Sequence, residues 1–186
     1  MKLIVGLGNV GPEYEATRHN VGFLVVRELG RKHRVRWERG GGPVHVSGDW
    51  KLRAGAVRLL LPSTMMNRSG EAVTKWDISP ADLLVVCDDV NLPLGALRLR
   101  PDGGAGGHHG LASCVDELGT EEISRLRVGV GVERLPADLT EFVLTPFEAQ
   151  EQAVLRETVA RAVEACELWV MRGVQLAMNM VNVKAQ

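Results

Sequence analysis

The sequence lacks an excess of positive charge, a long apolar run and a signal peptide. Its formal net charge is −1, so it lacks the excess of Lys and Arg that is common in nucleic-acid-binding domains. No apolar run approaches the length of a membrane span, and residues 1–5 lack the cationic and apolar regions of a signal peptide. We therefore expect a soluble, cytoplasmic protein without a membrane partner, in which a local basic patch holds any polyanion.

Cysteine is also scarce, and several motifs of reactive or metal-binding residues are missing. The three cysteines, Cys87, Cys114 and Cys166, are widely spaced and form no CxxC or Cys/His pattern, which predicts reduced thiols in the core. There is no HExxH motif, and the adjacent His108 and His109 point apart in an extended backbone, so we predict no metal. Without a GxSxG elbow, or a basic group near Cys87 in sequence, water is a better candidate nucleophile than a side chain.

What the sequence does contain is a succession of short apolar segments and amphipathic stretches. A chain of 186 residues with 45% hydrophobic content suffices for one well-filled core, so we predict a single domain, 1–186. Strand patterns occupy 2–7, 44–46, 50–52, 57–61, 83–87, 96–100 and 125–130, with turns at 47–49 and 54–56. Helical patterns run from 20 to about 34, from a capping box at 145–148 to 173, and from about 175, with one helical turn at 79–82. This alternation predicts an α/β domain of three layers, a twisted, mixed and largely parallel sheet with helices on both faces.

The glycines after the first predicted strand match a dinucleotide-binding motif. Gly6, Gly8 and Gly11 have the GxGxxG spacing. In that motif the helix begins within the glycines, whereas here the helical pattern starts only near Asn20. The acidic residue expected to bind the ribose should end a second strand, but the candidate, Glu28, lies inside the predicted helix. A dinucleotide-dependent enzyme therefore remains only an alternative.

Polar side chains concentrate in four loops, three of which follow predicted strands. The loops contain Asn9, Tyr14 and 17–20; 66–70; Asp88 and Asp89; and 103–110 with His108 and His109. If the strands are parallel neighbours, the loops meet at one crevice. There a neutral His could take a proton from water, an Asp on its other nitrogen would fix the tautomer, and Asn side chains could donate to an oxyanion. The same residue types are common as helix caps, turns and solvated strand ends, so the pattern alone leaves both interpretations open.

Taken in order along the chain, these segments resemble the bacterial-type peptidyl-tRNA hydrolases. The opening signature is Gly6-Leu7-Gly8-Asn9, Tyr14 and Thr17-Arg18-His19-Asn20-Val21-Gly22-Phe23. The second motif is Pro62-Ser63-Thr64-Met65-Met66-Asn67-Arg68-Ser69-Gly70, and the third is Asp88-Asp89 to Gly95 with Gly103-Gly104 and Gly106-Gly107-His108. The similarity covers essentially the whole chain. It implies hydrolysis of the ester bond between a peptide and the 3′ end of tRNA, with no cofactor, no obligate protein partner and a monomeric state.

The resemblance also implies roles for individual residues in catalysis. His19 would be the general base, and Asp88 would keep it in its basic, correctly oriented form. Asn9 would distinguish a blocked peptide from a free aminoacyl group, and Asn67 would lie beside the scissile ester. Because these roles are inherited from the family, they require that the four side chains meet in space.

For substrate binding, the resemblance implies a second set of residues. Tyr14 would contact the tRNA 3′ end, Met66 would line the site, and His108 and His109 would add contacts. The family usually has Gly-His-Asn-Gly, but this chain has a second histidine, His109, in place of the Asn. A hydrogen bond from His109 would replace the contact of that Asn and would depend on pH. Other departures are Val10 for Pro, Cys87 for His and a shorter 72–79 stretch. His109 motivates an alternative, a catalytically weak RNA-binding relative of the same fold.

Two segments alternate leucine or valine with arginine and supply the expected basic patch. Arg98 and Arg100 lie in one, and Arg125 and Arg127 in the other. The resemblance places Arg100 and Arg127 at positions that grip the terminal phosphate of the acceptor stem, by contacts to backbone and shape rather than sequence. The alternative is a solvated strand face, since charged runs usually serve solubility.

Overall fold

The computed structural model describes residues 1–53 and 55–182. The strands are β1 (Lys2–Gly6), β2 (Glu38–Arg39), β3 (Val44–Leu52), β4 (Gly55–Pro62), β5 (Leu83–Pro93), β6 (Leu97–Arg100) and β7 (Ser124–Gly131). The α-helices are α1 (Val21–Lys32), α2 (Gly70–Val73), α3 (His109–Leu118), α4 (Leu139–Val143) and α5 (Gln152–Val181). Short 3-10 turns occupy Arg18–Asn20, Met66–Arg68, Pro80–Asp82 and Ala149–Glu151. None of the described helices has the length and apolarity needed to cross a membrane.

The strands form one sheet in the order β2-β3-β4-β1-β5-β7-β6. The four central strands, β4, β1, β5 and β7, run parallel, while β2 and β3 join antiparallel at one edge and β6 at the other. Strand β1 lies between β4 and β5, which both follow it in the chain. The chain therefore adds strands first on one side of β1 and then on the other, so the strand order reverses between β1 and β5. Ligands of open α/β sheets bind outside the carboxyl ends of the strands at such a reversal, so the topology places a crevice beyond β1 and β5.

Two hydrophobic clusters cover the two faces of this sheet. Along β1, Ile4 packs with α1 and α5 on one face, whereas Leu3 and Val5 pack with α2 and α3 on the other. Each fully buried aliphatic side chain of this kind contributes about 1.5–3 kcal/mol relative to exposure. The predicted three-layer α/β fold is therefore confirmed. The three cysteines are free and buried, as predicted.

A close approach of backbone to backbone sets the position of α1. A Cβ atom added at Gly22 would lie 2.4 Å from the carbonyl oxygen of Val86 and 2.5 Å from that of Leu7. Only glycine lets the first turn of α1 touch β5 and the end of β1 in this way. The same contact brings the preceding turn, which contains His19, against the carboxyl ends of the two strands.

The Gly22→Ala variant is expected to lose at least about 1–3 kcal/mol of unfolding free energy, because the neighbouring atoms are backbone and cannot rotate away. Urea unfolding at neutral pH measures the loss. Leu24→Ala is the matched control in the same helix, since Leu24 is 41% exposed and should change stability little. A Gly22→Ala protein as stable as the parent would contradict this account of the helix position.

Several local predictions were wrong where tertiary pairing decided the outcome. Residues 47–49, predicted as a turn, continue β3, because Gly48 pairs with Leu59 and Asp49 with Arg58 across the ladder. Of the turn predicted at 54–56, Ala54 lies outside the described residues, and β4 begins at Gly55. The stretch at 72–79 follows α2, and the helical turn predicted at 79–82 is present as a 3-10 turn.

The long helix begins later than the predicted capping box. The hydroxyl of Thr145 donates to the carbonyl of Phe142, and the capping box is instead formed by Glu148 and Glu151. The predicted break at Gly173 is present, because this glycine has φ 75° and ψ 170° inside α5. Helices α3 and α4 were not predicted.

Candidate active site

The first pair of site residues is His19 and Asp88, which are 69 residues apart in sequence. The 3-10 turn before α1 carries His19, and β5 carries Asp88. The Nδ1 atom of His19 lies 2.8 Å from Oδ1 of Asp88, and the two side chains are 13% and 4% exposed. Because a carboxylate accepts there, Nδ1 carries a proton, and in the neutral imidazole Nε2 is the basic nitrogen. The predicted proximity of imidazole and carboxylate is confirmed.

A second imidazole, His108, reaches the same carboxylate oxygen. Its Nε2 atom lies 2.9 Å from Oδ1 of Asp88, and its Nδ1 accepts a hydrogen bond from the backbone N–H of Leu111 at 3.1 Å. Because Nδ1 accepts, Nε2 is the ring nitrogen that donates to Asp88. Sequence reasoning assigned His108 to substrate binding and missed this contact. His108 also caps the N-terminus of α3, a helix that the sequence pattern did not predict, so no local signal marked this contact.

The charge of Asp88 depends on these two neighbours. Burial by itself raises the pKa of Asp88, but the attraction and hydrogen bonds of His108 and His19 outweigh it and hold the pKa well below its usual value. Asp88 is therefore ionised at neutral pH and can stabilise an imidazolium on His19. Burial raises the pKa of the adjacent Cys87 thiol, which agrees with water rather than Cys87 as the nucleophile.

The carboxamide of Asn9 is fixed by a separate set of hydrogen bonds. Its Oδ1 accepts a hydrogen bond from the backbone N–H of Met66 at 2.9 Å. This contact fixes the orientation of the amide, with Oδ1 toward Met66 and Nδ2 on the other side. The Asn9 backbone is held by the side chain of Asn20, which accepts from the N–H at 2.8 Å and donates to the carbonyl at 2.9 Å. Within the described residues, Nδ2 of Asn9 has no partner, so it is a donor available to a ligand.

Met66, whose backbone binds the carboxamide of Asn9, and His108 both lie next to Gly110. A Cβ atom at Gly110 would lie 2.6 Å from Sδ of Met66 and 3.1 Å from Cε1 of His108. Met66 is buried, whereas Asn67 beside it is exposed and makes no side-chain hydrogen bond within the described residues. Tyr14 is half-buried in the loop after β1, where its carbonyl accepts from Thr17, but it does not line the cleft beside His19.

An open cleft of about 160 Å³ lies beside the two histidines. Its walls come from β5 beyond Cys87, from Arg127 of β7, from the glycine-rich loop before α3, and from α4. The lining residues include His19, Asp88, His108, His109 and Arg127, facing Leu139, Thr140 and Val143. His109, the first residue of α3, is exposed on the rim. The cleft therefore connects the half-buried imidazole of His19 to the cationic side chain of Arg127.

Comparison with known proteins identifies the family to which this architecture belongs. The family model described as peptidyl-tRNA hydrolase matches residues 3–186. The chain belongs to the peptidyl-tRNA hydrolase family. It is 45% identical over 186 residues to the peptidyl-tRNA hydrolase of Symbiobacterium thermophilum, covering 97% of this chain and 98% of that protein. It is 46% identical to the peptidyl-tRNA hydrolase of Synechococcus sp. strain JA-3-3Ab, covering 98% and 83%.

The fold agrees with a solved peptidyl-tRNA hydrolase. The crystal structure of the enzyme from Acinetobacter baumannii matches with a TM-score of 0.90 and 35% sequence identity, covering 98% of this chain and 94% of that one. The predicted family resemblance is therefore confirmed over nearly the whole length.

The arginines of the expected basic patch divide into two groups. Arg98 and Arg100 on the edge strand β6 are exposed, and neither guanidinium pairs with a carboxylate of the described residues. Arg127 is half-buried, bonded to Asp89 at 3.2 Å and to the carbonyl of Gly104 at 2.9 Å. These positions leave Arg98 and Arg100 accessible from solvent and place Arg127 at the cleft.

The inclusion of Arg125 in that patch was wrong. It lies on the same face of the sheet, opposite Arg100 in the ladder, but it is fully buried. Its guanidinium donates to the carbonyls of Ile123, Gly103 and Glu121. Because burial of an arginine demands such partners, Arg125 holds the glycine-rich loop and is not free for phosphate.

The site also contains ligand types that could hold a metal or cofactor. One ligand atom each from His19, Asp88 and His108 lie within 4.8 Å of one another. The two nitrogen–oxygen distances of 2.8 and 2.9 Å are hydrogen-bond lengths, and tetrahedral zinc with bonds of about 2.0–2.2 Å would need these atoms farther apart. The absence of a metal stays a prediction. For a dinucleotide, α1 begins only at Val21, ten residues beyond Gly11, so its N-terminus is not formed by the glycines.

Proposed function

We propose that this protein is a hydrolase that cleaves the ester bond between a peptide, or an N-blocked amino acid, and the 3′ end of tRNA. One observation carries the proposal: Nδ1 of His19 is bound to Asp88 at 2.8 Å, while the imidazole borders an open cleft. Membership of the peptidyl-tRNA hydrolase family supports this choice of substrate. The reaction releases free tRNA and so recycles stalled peptidyl-tRNA.

Chemically, the ester is cleaved by water that His19 activates. Nε2 of His19 takes a proton from water as the oxygen attacks the ester carbonyl, and Asp88 stabilises the resulting imidazolium. The tetrahedral intermediate then collapses, and the imidazolium returns the proton to the departing ribose oxygen of the tRNA. The products are the free carboxyl group of the peptide and the ribose hydroxyl of the tRNA, and His19 returns to its neutral, basic form.

The amide donors assist at two places in this reaction. Asn67, which is exposed and follows the buried Met66 in the chain, donates to the developing oxyanion. The contact with Met66 engages only Oδ1 of Asn9 and leaves Nδ2 available. Nδ2 donates a hydrogen bond to the blocked amide of the substrate. Met66, Tyr14, His108 and His109 contribute to binding of the 3′ end and peptide.

Phosphate contacts from Arg100 and Arg127 hold the acceptor stem, helped by Arg98. Replacing Arg100 by Gln is expected to raise KM and to flatten the slope of log affinity against log salt by about 0.7–0.9, the value of one lost phosphate contact. The rate at saturating substrate should stay the same. Filter binding of tRNA between low and physiological salt measures this slope.

Arg36→Gln provides the matched control, because Arg36 is also exposed but precedes β2 at the opposite edge of the sheet. Its salt slope should equal that of the parent. An unchanged slope in Arg100→Gln would remove Arg100 from the phosphate contacts.

A single-turnover assay with N-blocked aminoacyl-tRNA tests the proposed function. We expect release of the blocked amino acid from the parent protein and none from free aminoacyl-tRNA. Binding of tRNA without cleavage would instead favour the alternative, a catalytically weak RNA-binding relative, which His109 in place of the family's usual Asn suggests. We further propose that residues 1–186 act as a cytoplasmic, single-domain monomer without a cofactor.

A further inference from the structure

The residue before the proposed base, Arg18, is almost completely buried. Its side chain is 3% exposed, although arginine is rarely found so deep in a protein. A buried cation is costly unless charged and polar partners surround it. The partners of Arg18 therefore indicate what the residue is for.

All of these partners come from β7 and from the chain that follows it. The guanidinium donates twice to Glu151, at 3.0 and 2.7 Å, and once to the carbonyl of Val130 at 3.3 Å. It also packs on the rings of Phe142 and Phe147, with centroid distances of 4.7 and 4.9 Å. A forked ion pair together with ring contacts restricts both the position and the rotation of the side chain.

The backbone beside Arg18 binds the same part of the chain. Its N–H donates to the carbonyl of Thr145 at 3.0 Å, and Thr17 forms an isolated β-bridge with Pro146. The 142–151 segment thus holds the turn that carries His19 by side chain and backbone together. This segment is continuous with α4, whose Leu139, Thr140 and Val143 form one wall of the cleft.

These contacts exceed what stability alone requires. Replacing a buried ion pair by apolar side chains is often neutral or stabilising. Moreover, Nε of Arg18 is buried without a hydrogen-bond partner in the described part of the chain, so the arrangement is not optimised for energy. What the pair does provide is a fixed geometry between two segments that meet at the cleft.

We propose that Arg18 is a positioning residue that joins the α4 wall of the cleft to the turn carrying His19. Docking of the 142–151 segment then holds the imidazole against Asp88, with Nε2 directed at the substrate. This inference rests on the proposed function for its kinetic consequences. Its structural consequence, an ordered hydrogen bond between His19 and Asp88, is independent of the substrate.

Arg18→Met and Glu151→Gln test the proposal. In each, the single-turnover rate constant on N-blocked aminoacyl-tRNA is expected to fall roughly 10- to 100-fold, the range that small misplacement of a reacting group causes. The dissociation constant of the substrate should change much less than the rate. In proton NMR, the Nδ1–H signal of His19, present in the parent at neutral pH, should broaden or disappear.

Arg27→Met is the matched control. Arg27 lies on α1, pairs with Glu15 at 3.3 Å and sits over the ring of Phe23 at 5.6 Å, but its side chain is 43% exposed. Its rate and NMR signal should match those of the parent. If folded Arg18→Met keeps the parental rate and the Nδ1–H signal, Arg18 is merely structural and the proposal is wrong.

Arg18→Met can fail to fold, and the parent can fail to cleave the substrate; the proposal remains testable in both cases. Should Arg18→Met fail to fold, Glu151→Gln, which retains the shape of the carboxylate, provides the same two readouts, and parental values there overturn the proposal. Should the parent itself fail to cleave the substrate, the proposed function is wrong. The NMR comparison of parent and variants then still decides whether Arg18 positions His19.

Discussion

Replacing His19 by Ala should slow ester hydrolysis roughly 10²- to 10⁴-fold, the range that general-base catalysis usually contributes. The reason is that Nε2 of His19 is the acceptor for the proton of water, and its orientation comes from the 2.8 Å contact of Nδ1 with Asp88. The substrate should still bind, since the arginines and amide donors are unchanged. Single-turnover rates and KM with N-blocked aminoacyl-tRNA separate these effects.

His33→Ala is the control for that experiment. The imidazole of His33 is also bound to a carboxylate, with Nε2 2.7 Å from Glu167, and stacks on Trp50 beyond the far end of α1. Its removal should leave the rate within about twofold of the parent, as expected for a change outside the site. A His19→Ala protein that releases peptide as fast as the parent would exclude His19 as the base.

The second large effect is expected from Asp88→Asn. The amide oxygen can still accept from His19 and His108, but the negative charge that stabilises the imidazolium is lost. We expect a decrease in rate of roughly 10²-fold or more, with KM little changed. Because the substitution is almost isosteric, a crystal structure or circular dichroism can show that the fold is retained. A rate equal to that of the parent would mean that the carboxylate charge has no catalytic role.

The same variant should change the pH dependence of stability. The pKa of Asp88 is lower in the folded protein than in the unfolded chain, where a value of about 3.9 is usual. The folded state therefore gains stability from the carboxylate above about pH 4, and the unfolded state binds the proton first as the pH falls below it. Consequently, the parent should exceed Asp88→Asn in unfolding free energy at neutral pH, and the difference should shrink below about pH 4.

Urea unfolding of parent and variant at pH 7 and at pH 3 provides the measurement. Asp116→Asn is a suitable control, because Asp116 is exposed on α3 and makes no side-chain hydrogen bond within the described residues. Its difference from the parent should be small at both pH values. A stability difference for Asp88→Asn that is independent of pH would contradict the account of the carboxylate.

Much of the site was predictable because strand ends and glycines are local signals. The apolar run that ends at Asp88 and the motif around His19 both mark the carboxyl end of the sheet, and the structure brings them into contact. Gly173 was also correctly predicted to end a helix, since its backbone conformation is one that other residues rarely adopt. By contrast, the turn predicted around Gly48 was wrong, because pairing with β4 outweighed a local turn preference.

By itself, the sequence determined the α/β class and the buried thiols, because hydrophobic periodicity depends on near neighbours in the chain. The resemblance of its motifs to the peptidyl-tRNA hydrolases supplied His19 and Asp88 as the proposed base and its carboxylate. Only the tertiary structure decided that His108 shares Asp88 with His19, that Arg125 is buried while Arg100 is exposed, and that Arg18 joins the base to α4. The contact of His108 with Asp88 joins residues 20 positions apart, and that of Arg18 with Glu151 joins residues 133 positions apart. Their burial and partners depend on how the layers pack, which no local pattern encodes.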